Sequence, residues 1–228
     1  MLLLGPPDDA NLVEMRTLDL TEKQDCAVKW SPELLREFED RIAEAYNKAE
    51  IRAPIHLSYG SETELIKIFQ GIAQEDFVLS TWRSHYHALL HGVPENKVEK
   101  SVRSGHSISL SFPEHRFYSS AIVGGMLSIG VGLAEGLKRQ GSSAKVWVFI
   151  GDMAANTGLA FSSVRLARVR DLNFRLIIED NEVSVCTPTK AVWGEASHDL
   201  DSVGVGIVSR YSYKSIYPHA GAGKRIEF

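Results

Sequence analysis

The sequence predicts an α/β fold, a parallel sheet with helices on both faces, and two observations support this prediction. Two apolar runs, at 145–150 and 174–180, lack the alternation of polar and apolar residues that marks a half-exposed strand, so both are expected to be strands buried on both faces. The segment between them, 154–171, reads as a crossover helix, so the two strands are expected to lie side by side and parallel.

The first helix is predicted over residues 31–50. Ser31 can cap its first turn, and Pro32 suits the position that follows. Apolar side chains recur at helical spacing and form one face, at Leu34, Leu35, Phe38, Ile42, Ala45 and Tyr46. The pattern therefore predicts an amphipathic helix.

Shorter elements follow this helix. Residues 61–73 are predicted to be helical, because Ser61 and Glu64 have the spacing of a capping box. Residues 77–92 are predicted to be a short extended piece that leads into a helix, and another short helix is predicted over 94–103.

The middle of the chain combines a polar segment with a glycine-rich one. Residues 101–120 are predicted to be a long polar loop, and loops of that length are often functional. Residues 121–140 predict a helix whose glycines suit close packing against another backbone or another subunit. A further strand is predicted within 203–213. We expect residues 1–30 to form an irregular N-terminal arm and residues 31–228 to form one domain.

The composition argues against several classes of function. The chain has 228 residues and a formal net charge of −4, without a basic stripe, so no nucleic-acid partner is expected. The longest uncharged stretch, 118–134, is interrupted by glycines and is slightly short for a membrane span. The two cysteines, Cys26 and Cys186, lie far apart, so we expect no disulfide framework and a cytoplasmic location.

Polar side chains follow the two buried strands. Asp152 lies at the end of the first strand, and Asn181, 29 residues later, lies just past the end of the second. Ligands of α/β sheets bind outside the carboxyl ends of the strands, so both side chains can face one crevice. Carboxylate and amide oxygens suit Mg²⁺ or Ca²⁺ rather than Zn²⁺, and the start of the crossover helix suits an anion. Alternatively, Asp152 is only a helix cap.

These residues also resemble a known family. GDMAANTG at 151–158, followed by IIEDN at 177–181, resembles the signature of thiamine-diphosphate enzymes, and most of all the alpha subunit of the decarboxylating component of 2-oxo acid dehydrogenase complexes. The resemblance covers roughly residues 32–190. It extends upstream in the same order, through IRAPIHLSYGSE (51–62), TWRSHYHALLHGVP (81–94) and FYSSAIVGGMLSIGVGLAEGLK (117–138).

The resemblance implies a cofactor, thiamine diphosphate, and a metal, Mg²⁺. Asp152 and Asn181 would bind Mg²⁺ through their side chains, and Val183 through its main-chain carbonyl. Arg83 would bind the diphosphate, with Trp82 beside it.

Further roles follow from the same resemblance. The backbones of Gly151, Met153 and Ala154 would meet the phosphates, and those of Ala121 and Val123 would hold the aminopyrimidine ring. The implied catalytic histidines are His85, near the diphosphate, and His219, in a C-terminal segment that looks like a remnant of the family's active-site loop.

The sequence departs from the family at several positions. Met153 stands where the family usually has glycine, which matters if the turn needs a positive φ. Trp82 replaces a tyrosine, Asp180 replaces an asparagine, and Ser109 falls near a family histidine. The chain is also much shorter than the family's alpha subunits.

The implied function is that of an alpha-type subunit that decarboxylates a 2-oxo acid and passes on the acyl unit. Such a subunit is active only with a beta subunit that supplies the pyrimidine-binding domain and a catalytic glutamate, in a heterotetramer of two alpha and two beta chains. The first alternative is a subunit of a split transketolase-like or acyloin-forming carboligase, which acts on an aldehyde or sugar. The second is a non-catalytic subunit that retains the fold.

Other motifs suggest other sites. His87 and His91 have the i, i+4 spacing of a zinc pair but no local third ligand. The glycines at 130, 132 and 136 are one residue off a dinucleotide fingerprint and lie inside a helix. The serines at 107, 109 and 111 are not in the context of a nucleophile elbow. None of these motifs outweighs the metal-diphosphate interpretation.

Overall fold

The computed structural model describes residues 29–194 and 199–224. Almost all of the predicted N-terminal arm, including Cys26, lies outside the described residues. The helices are α1 (Pro32–Asn47), α2 (Glu62–Phe69), α3 (His85–Leu90), α4 (Glu95–Ser101), α5 (Gly125–Arg139), α6 (Asp152–Ala155), α7 (Gly158–Val169), α8 (Thr189–Trp193) and α9 (Asp199–Val203). The strands are β1 (Phe77–Ser80), β2 (Ser111–Phe112), β3 (Phe117–Ser119), β4 (Val146–Gly151), β5 (Phe174–Asp180), β6 (Val183–Ser184), β7 (Thr187–Pro188) and β8 (Val208–Ser212).

Six strands form the central sheet, in the order β2-β3-β1-β4-β5-β8. All neighbours in it are parallel except the edge strand β2, which is antiparallel to β3. The further strand predicted near the C-terminus is β8, which pairs with β5. Strands β6 and β7 form a separate antiparallel hairpin.

Helices cover both faces of the sheet, as β4 illustrates. Its side chains alternate between two cores, since Trp147 and Phe149 pack with α1 to α4, whereas Val146, Val148 and Ile150 pack with α5, α7 and α9. Both sets are buried, so the strand reads as a continuous apolar run. The predicted α/β fold is confirmed.

The helix caps were predicted correctly at one of two places. The Ser31 hydroxyl accepts a hydrogen bond from the Leu34 N–H at 3.3 Å, as expected for the cap of α1. Ser61 caps nothing through its side chain, so the capping-box prediction at α2 is wrong. Its hydroxyl lies 3.5 Å from the Ser58 carbonyl instead, and Glu62 accepts from the Gly60 N–H at 2.9 Å.

The long polar loop predicted for 101–120 is wrong. The segment continues α4 into a short π-helical turn, Val102–His106, and then supplies β2, a 3₁₀ turn and β3. Strand β3 pairs in parallel with β1, which places Tyr118 opposite Leu79. A strand of three residues is too short to show a periodic pattern, so only its pairing with β1 identifies it.

The crossover predicted as one helix is divided in two. After the single turn of α6, Thr157 adopts an extended backbone, and its hydroxyl caps α7 by accepting from the Ala160 N–H. The long helix therefore starts at Gly158, six residues after Asp152. The helix that begins at the carboxyl end of β4 is therefore only the four-residue turn α6.

The strand order locates the crevice where ligands of such sheets bind. The chain leaves β1 toward β3 on one side and leaves β4 toward β5 on the other, so the connections diverge between β1 and β4. Within the described ranges, no helix is long and apolar enough to cross a membrane.

Candidate functional site

A cleft opens at the carboxyl ends of the parallel strands, at the point where the connections diverge. Segments after β3, β1, β4, β5 and β8 all contribute to its walls. Most of the residues that the sequence predicted as a site meet in this cleft. Its lining includes Trp82, Arg83, Val123, Gly151, Asp152, Met153, Ala154, Asn181, Val183 and His219.

Asp152 is the first residue of α6 and is only 2% exposed. The Thr189 hydroxyl donates a hydrogen bond to its Oδ2. Burial raises the pKa of the Asp152 carboxyl, the Thr189 hydrogen bond lowers it, and the nearby Asp180 carboxylate raises it again. The two carboxylate oxygens offer about four lone-pair sites, so this group can accept the Thr189 hydrogen bond and still bind a cation.

Asn181 follows β5, Val183 begins β6, and both line the same cleft as Asp152. Among the described residues, the Asn181 side-chain oxygen accepts one long hydrogen bond, 3.4 Å, from the Val183 N–H. A carboxylate, an amide oxygen and a main-chain carbonyl form a hard-oxygen set of the kind that suits Mg²⁺. Their role as metal ligands stays a prediction.

Asp180 replaces a family asparagine, and its negative charge is balanced by the Arg210 guanidinium. The Arg210 guanidinium donates to the Asp180 Oδ2 at 2.8 Å and to both oxygens of Asp201, at 2.8 and 3.0 Å. The ion pair satisfies a carboxylate that is 6% exposed. Asp180 does not line the cleft, so its replacement of asparagine leaves the set of oxygen atoms in the cleft unchanged.

Arg83 and Trp82 present hydrogen-bond donors without partners. The Arg83 guanidinium makes only long bonds to neutral oxygens, 3.5 Å to the Tyr213 hydroxyl and 3.3 Å to the His219 carbonyl. Its Nε and the Trp82 Nε1 are buried and have no hydrogen-bond partner among the described residues. Within the described part of the chain no carboxylate forms an ion pair with Arg83, so the cleft holds a cationic group that suits an anion.

The turn at 151–154 tolerates its methionine. Met153 lies in α6 and is not among the residues with positive φ, so the replacement of glycine does not strain the backbone. Its sulfur accepts a hydrogen bond from the Trp193 indole N–H at 3.1 Å. A Cβ on Gly151 would meet no protein atom within 4 Å, so the space beside this backbone stays open.

One of the two positions proposed for the aminopyrimidine lies outside the cleft. Val123 contributes to the lining, but Ala121 is exposed and does not. The adjacent Ile122 is 73% exposed and Val123 is 59% exposed. The segment between β3 and α5 runs along the rim, so the prediction for Ala121 is not supported within this chain.

The structure places His85, predicted to be catalytic, in the core beside the cleft. Its ring is 0% exposed and does not line the cleft. Its Nε2 lies 2.8 Å from the Ser107 hydroxyl. Its Nδ1 lies 3.4 Å from Glu39 without a hydrogen bond between them, and Glu39 accepts from the Ser58 and Tyr59 N–H groups. The three side chains form a serine–histidine–glutamate row, and all are fully buried, so the catalytic role of His85 stays a prediction.

His219 lies in the cleft wall, beside a histidine that the sequence analysis missed. The ring of His56 is 4.8 Å from that of His219, and the His56 Nδ1 donates to the His219 carbonyl at 2.5 Å. Burial lowers the pKa of His56 to about 4 and, together with Arg83, lowers the pKa of His219. The sequence analysis treated the segment around His56 as a connector, because nothing local indicates that it meets the C-terminal segment.

Glu179 is a second residue that sequence reasoning missed. It lines the cleft, accepts from the Tyr211 hydroxyl at 2.5 Å and lies 3.1 Å from the His87 Nε2. The Nε2 of His91 donates elsewhere, to the Asp76 carbonyl at 3.2 Å. The proposed zinc pair is therefore not formed, and the described residues contain no cluster of three or more histidine, cysteine or acidic side chains suited to a metal.

The cleft is only partly enclosed by this chain. Its enclosed volume is about 60 Å³. Sites that bury a whole small ligand have volumes of roughly 300–1,000 Å³. The described residues therefore form part of the wall around any ligand of cofactor size.

Comparison with known proteins identifies the family of the chain. The family model for the dehydrogenase E1 component matches residues 31–209. The alpha subunit of the pyruvate dehydrogenase E1 component from Rickettsia bellii is 30% identical over 164 residues, which are 68% of this chain and 50% of that protein. The alpha subunit of the pyruvate dehydrogenase E1 component from Rhizobium meliloti is 26% identical over 184 residues, which are 76% of this chain and 53% of that protein.

A mitochondrial relative is similar over a comparable share of the chain. The mitochondrial alpha subunit of the pyruvate dehydrogenase E1 component from Chaetomium thermophilum is 26% identical over 179 residues, 75% of this chain and 44% of that protein. The chain spans about half the length of the curated relatives it matches. Because the family model covers well over half of the chain, the protein belongs to the dehydrogenase E1 component family.

Proposed function

We propose that the chain is the alpha-type subunit of a two-component thiamine-diphosphate-dependent enzyme that decarboxylates a 2-oxo acid and transfers the acyl unit. One observation carries the proposal. The cleft at the carboxyl ends of β1, β4 and β5 brings the oxygen donors of Asp152, Asn181 and Val183 together with the unneutralised guanidinium of Arg83. The names of the relatives, alpha subunits of the pyruvate dehydrogenase E1 component, support the class of reaction.

The donor set suits a magnesium diphosphate. Asp152, Asn181 and the carbonyl of Val183 would hold Mg²⁺, whose preferred ligands are such oxygens. The buried, unpartnered N–H groups of Arg83 and Trp82 would bind and orient the phosphate oxygens. Thiamine diphosphate, when bound, supplies a carbon nucleophile for the 2-oxo carbonyl and an electron sink for decarboxylation.

Histidines in and beside the cleft wall would also take part in proton transfer. His219 and His56 have lowered pKa values, so both imidazoles are neutral near pH 7 and can accept a proton or donate a hydrogen bond. Glu179 lies deeper and is held by Tyr211, so it would fix the floor of the site.

A second chain would complete the site. Ile122, three residues before α5, and Ile129 of α5 are 73% and 56% exposed. Leu159 and Leu166 of α7 are 41% and 46% exposed. A Cβ on Gly132 would meet no atom within 4 Å, which leaves room for a neighbouring backbone. This apolar face suits a beta subunit that supplies the pyrimidine-binding domain and a glutamate, with two copies of each chain in the assembly.

Co-purification with a beta-type chain tests the cofactor assignment. We expect the purified complex to retain thiamine diphosphate and Mg²⁺ by native mass spectrometry and metal analysis. Asp152→Asn keeps the shape of the side chain, removes its charge and should abolish retention of the metal. Asp171→Asn is the matched control, because that aspartate is exposed and asparagine tolerates its left-handed backbone, φ 49°.

Two outcomes would refute the proposal. A complex that contains no cofactor and shows no Mg²⁺-dependent thermal shift would exclude the catalytic role. Equal metal retention by Asp152→Asn and by the wild type would exclude the metal assignment. Turnover of 2-oxo acids with lipoamide, compared with aldehyde acceptors, then separates the dehydrogenase from a carboligase.

A further inference from the structure

Helix α8 is attached to α6 at both of its ends, and α6 begins with Asp152. At the start of α8, the Thr189 hydroxyl donates to the Asp152 carboxylate. At its end, the Trp193 indole N–H donates to the Met153 sulfur at 3.1 Å. Thr189 is only 4% exposed, so water does not compete for its hydroxyl. The side chain of Thr189 is therefore a fixed neighbour of the carboxylate and not a surface group that meets it by chance.

The backbone of Thr189 is bound to the other half of the cleft. Its N–H donates to the Glu182 carbonyl at 3.0 Å, which closes the hairpin of β6 and β7. Asn181 and Val183 flank Glu182 in sequence. Glu182 itself has φ 62°, a left-handed conformation that a side chain disfavours, so contacts such as this one hold the loop in shape.

We propose that Thr189 is a positioning residue that sets the distance between the two halves of the metal site. Its hydroxyl fixes the carboxylate of Asp152, which follows β4, and its N–H fixes the turn that presents Asn181 and Val183 after β5. The inference rests on the proposed function, because it concerns the geometry of the metal site in that function.

The chemistry of the hydroxyl explains why threonine suits this place. A hydroxyl donates one hydrogen bond, so it occupies only one lone pair of the Asp152 Oδ2 and leaves further lone pairs of the carboxylate for a cation. Serine can make the same bond, whereas valine has nearly the same shape and cannot donate. Partners of metal ligands commonly change metal affinity by 10–100-fold when they are removed.

Titration of Mn²⁺ into the chain co-purified with its beta-type partner, in the presence of thiamine diphosphate and followed by electron paramagnetic resonance, measures the effect directly. We expect Thr189→Val to weaken Mn²⁺ binding at least about 10-fold. Thr189→Ser should stay within about threefold of the wild type, because it keeps the donor. Thr187→Val is the matched control, since Thr187 lies exposed in the same hairpin, and it should bind Mn²⁺ as the wild type does.

The outcomes separate the inference from the function on which it rests. Equal affinity of Thr189→Val and the wild type overturns the role of Thr189 and leaves the metal site intact. An equal loss in Thr189→Ser and Thr189→Val also overturns it, because the hydroxyl is then not the cause. Wild-type protein that binds no Mn²⁺ overturns the proposed function itself. If Thr189→Val does not fold, Thr189→Ala removes the same hydroxyl without the second methyl group.

Discussion

Gly130 of α5 packs where no side chain fits. A Cβ built on it would lie 2.5 Å from Cγ2 of Val148 and 3.2 Å from Cε2 of Phe174. Both neighbours are fully buried, one in β4 and the other in β5, so neither can swing away. Gly130 therefore sets how closely α5 approaches the sheet.

The loss of stability expected for a side chain at position 130 is estimated by comparison with Gly132, two residues along the same helix. Gly130→Ala and Gly132→Ala both gain about 1 kcal/mol of helix propensity, but only the first inserts an atom into a filled core. Overpacking of this kind costs about 1–3 kcal/mol. The propensity gain cancels between the variants, so Gly130→Ala should be about 1–3 kcal/mol less stable than Gly132→Ala.

Urea denaturation of the full chain, followed by far-ultraviolet circular dichroism, measures this difference. With similar slopes, the midpoint of Gly130→Ala should fall below that of Gly132→Ala. Equal free energies of unfolding for the two variants would refute the close packing of α5 on β4. Reduced affinity of Gly132→Ala for a co-purified chain would agree with the proposed interface, because that glycine faces open space.

Three other predictions concern the cleft and its surroundings. Arg83→Gln removes charge-assisted donors, so calorimetry in the presence of Mg²⁺ should show thiamine-diphosphate binding weakened by about 10–100-fold. The control Arg139→Gln, on the exposed end of α5, should bind the cofactor as the wild type does. Equal cofactor affinities of the two variants would contradict the anion site. Met153→Gly should leave that affinity within about threefold, since the backbone stays helical, but should lower the unfolding free energy by about 1 kcal/mol and change the fluorescence of Trp193, which loses its sulfur partner. Burial lowers the pKa of His91 to about 4, so its contribution to stability is complete above about pH 6.5 and is lost as the pH falls toward 4. The urea midpoint of the wild type should therefore fall over this pH range more steeply than that of His91→Gln. Equally steep falls in the two proteins would contradict this prediction.

The departures from the family pattern have structural explanations only in two cases. Met153 keeps a helical backbone and gains a contact with Trp193. Asp180 gains Arg210 as an ion-pair partner. Ser109 is exposed and does not line the cleft, and no feature of the structure explains its replacement of a family histidine.

The amino-acid sequence by itself determined the central strands and the main candidate residues of the site. Strands β4 and β5 are buried on both faces, and that environment requires the continuous apolar runs by which they were recognised. Parallel strands end at one edge of a sheet, so Asp152 and Asn181 had to lie near each other once the strands were identified.

Only the tertiary structure decided which residues reach the cleft. His56 meets His219 across 163 positions of the chain, and Thr189 meets Asp152 across 37, distances over which no local pattern carries information. His85 follows the predicted phosphate-binding segment, yet packing against Glu39 turns its ring into the core. Local sequence specifies where a strand ends, whereas the side-chain environment there depends on elements that meet only when the chain has folded.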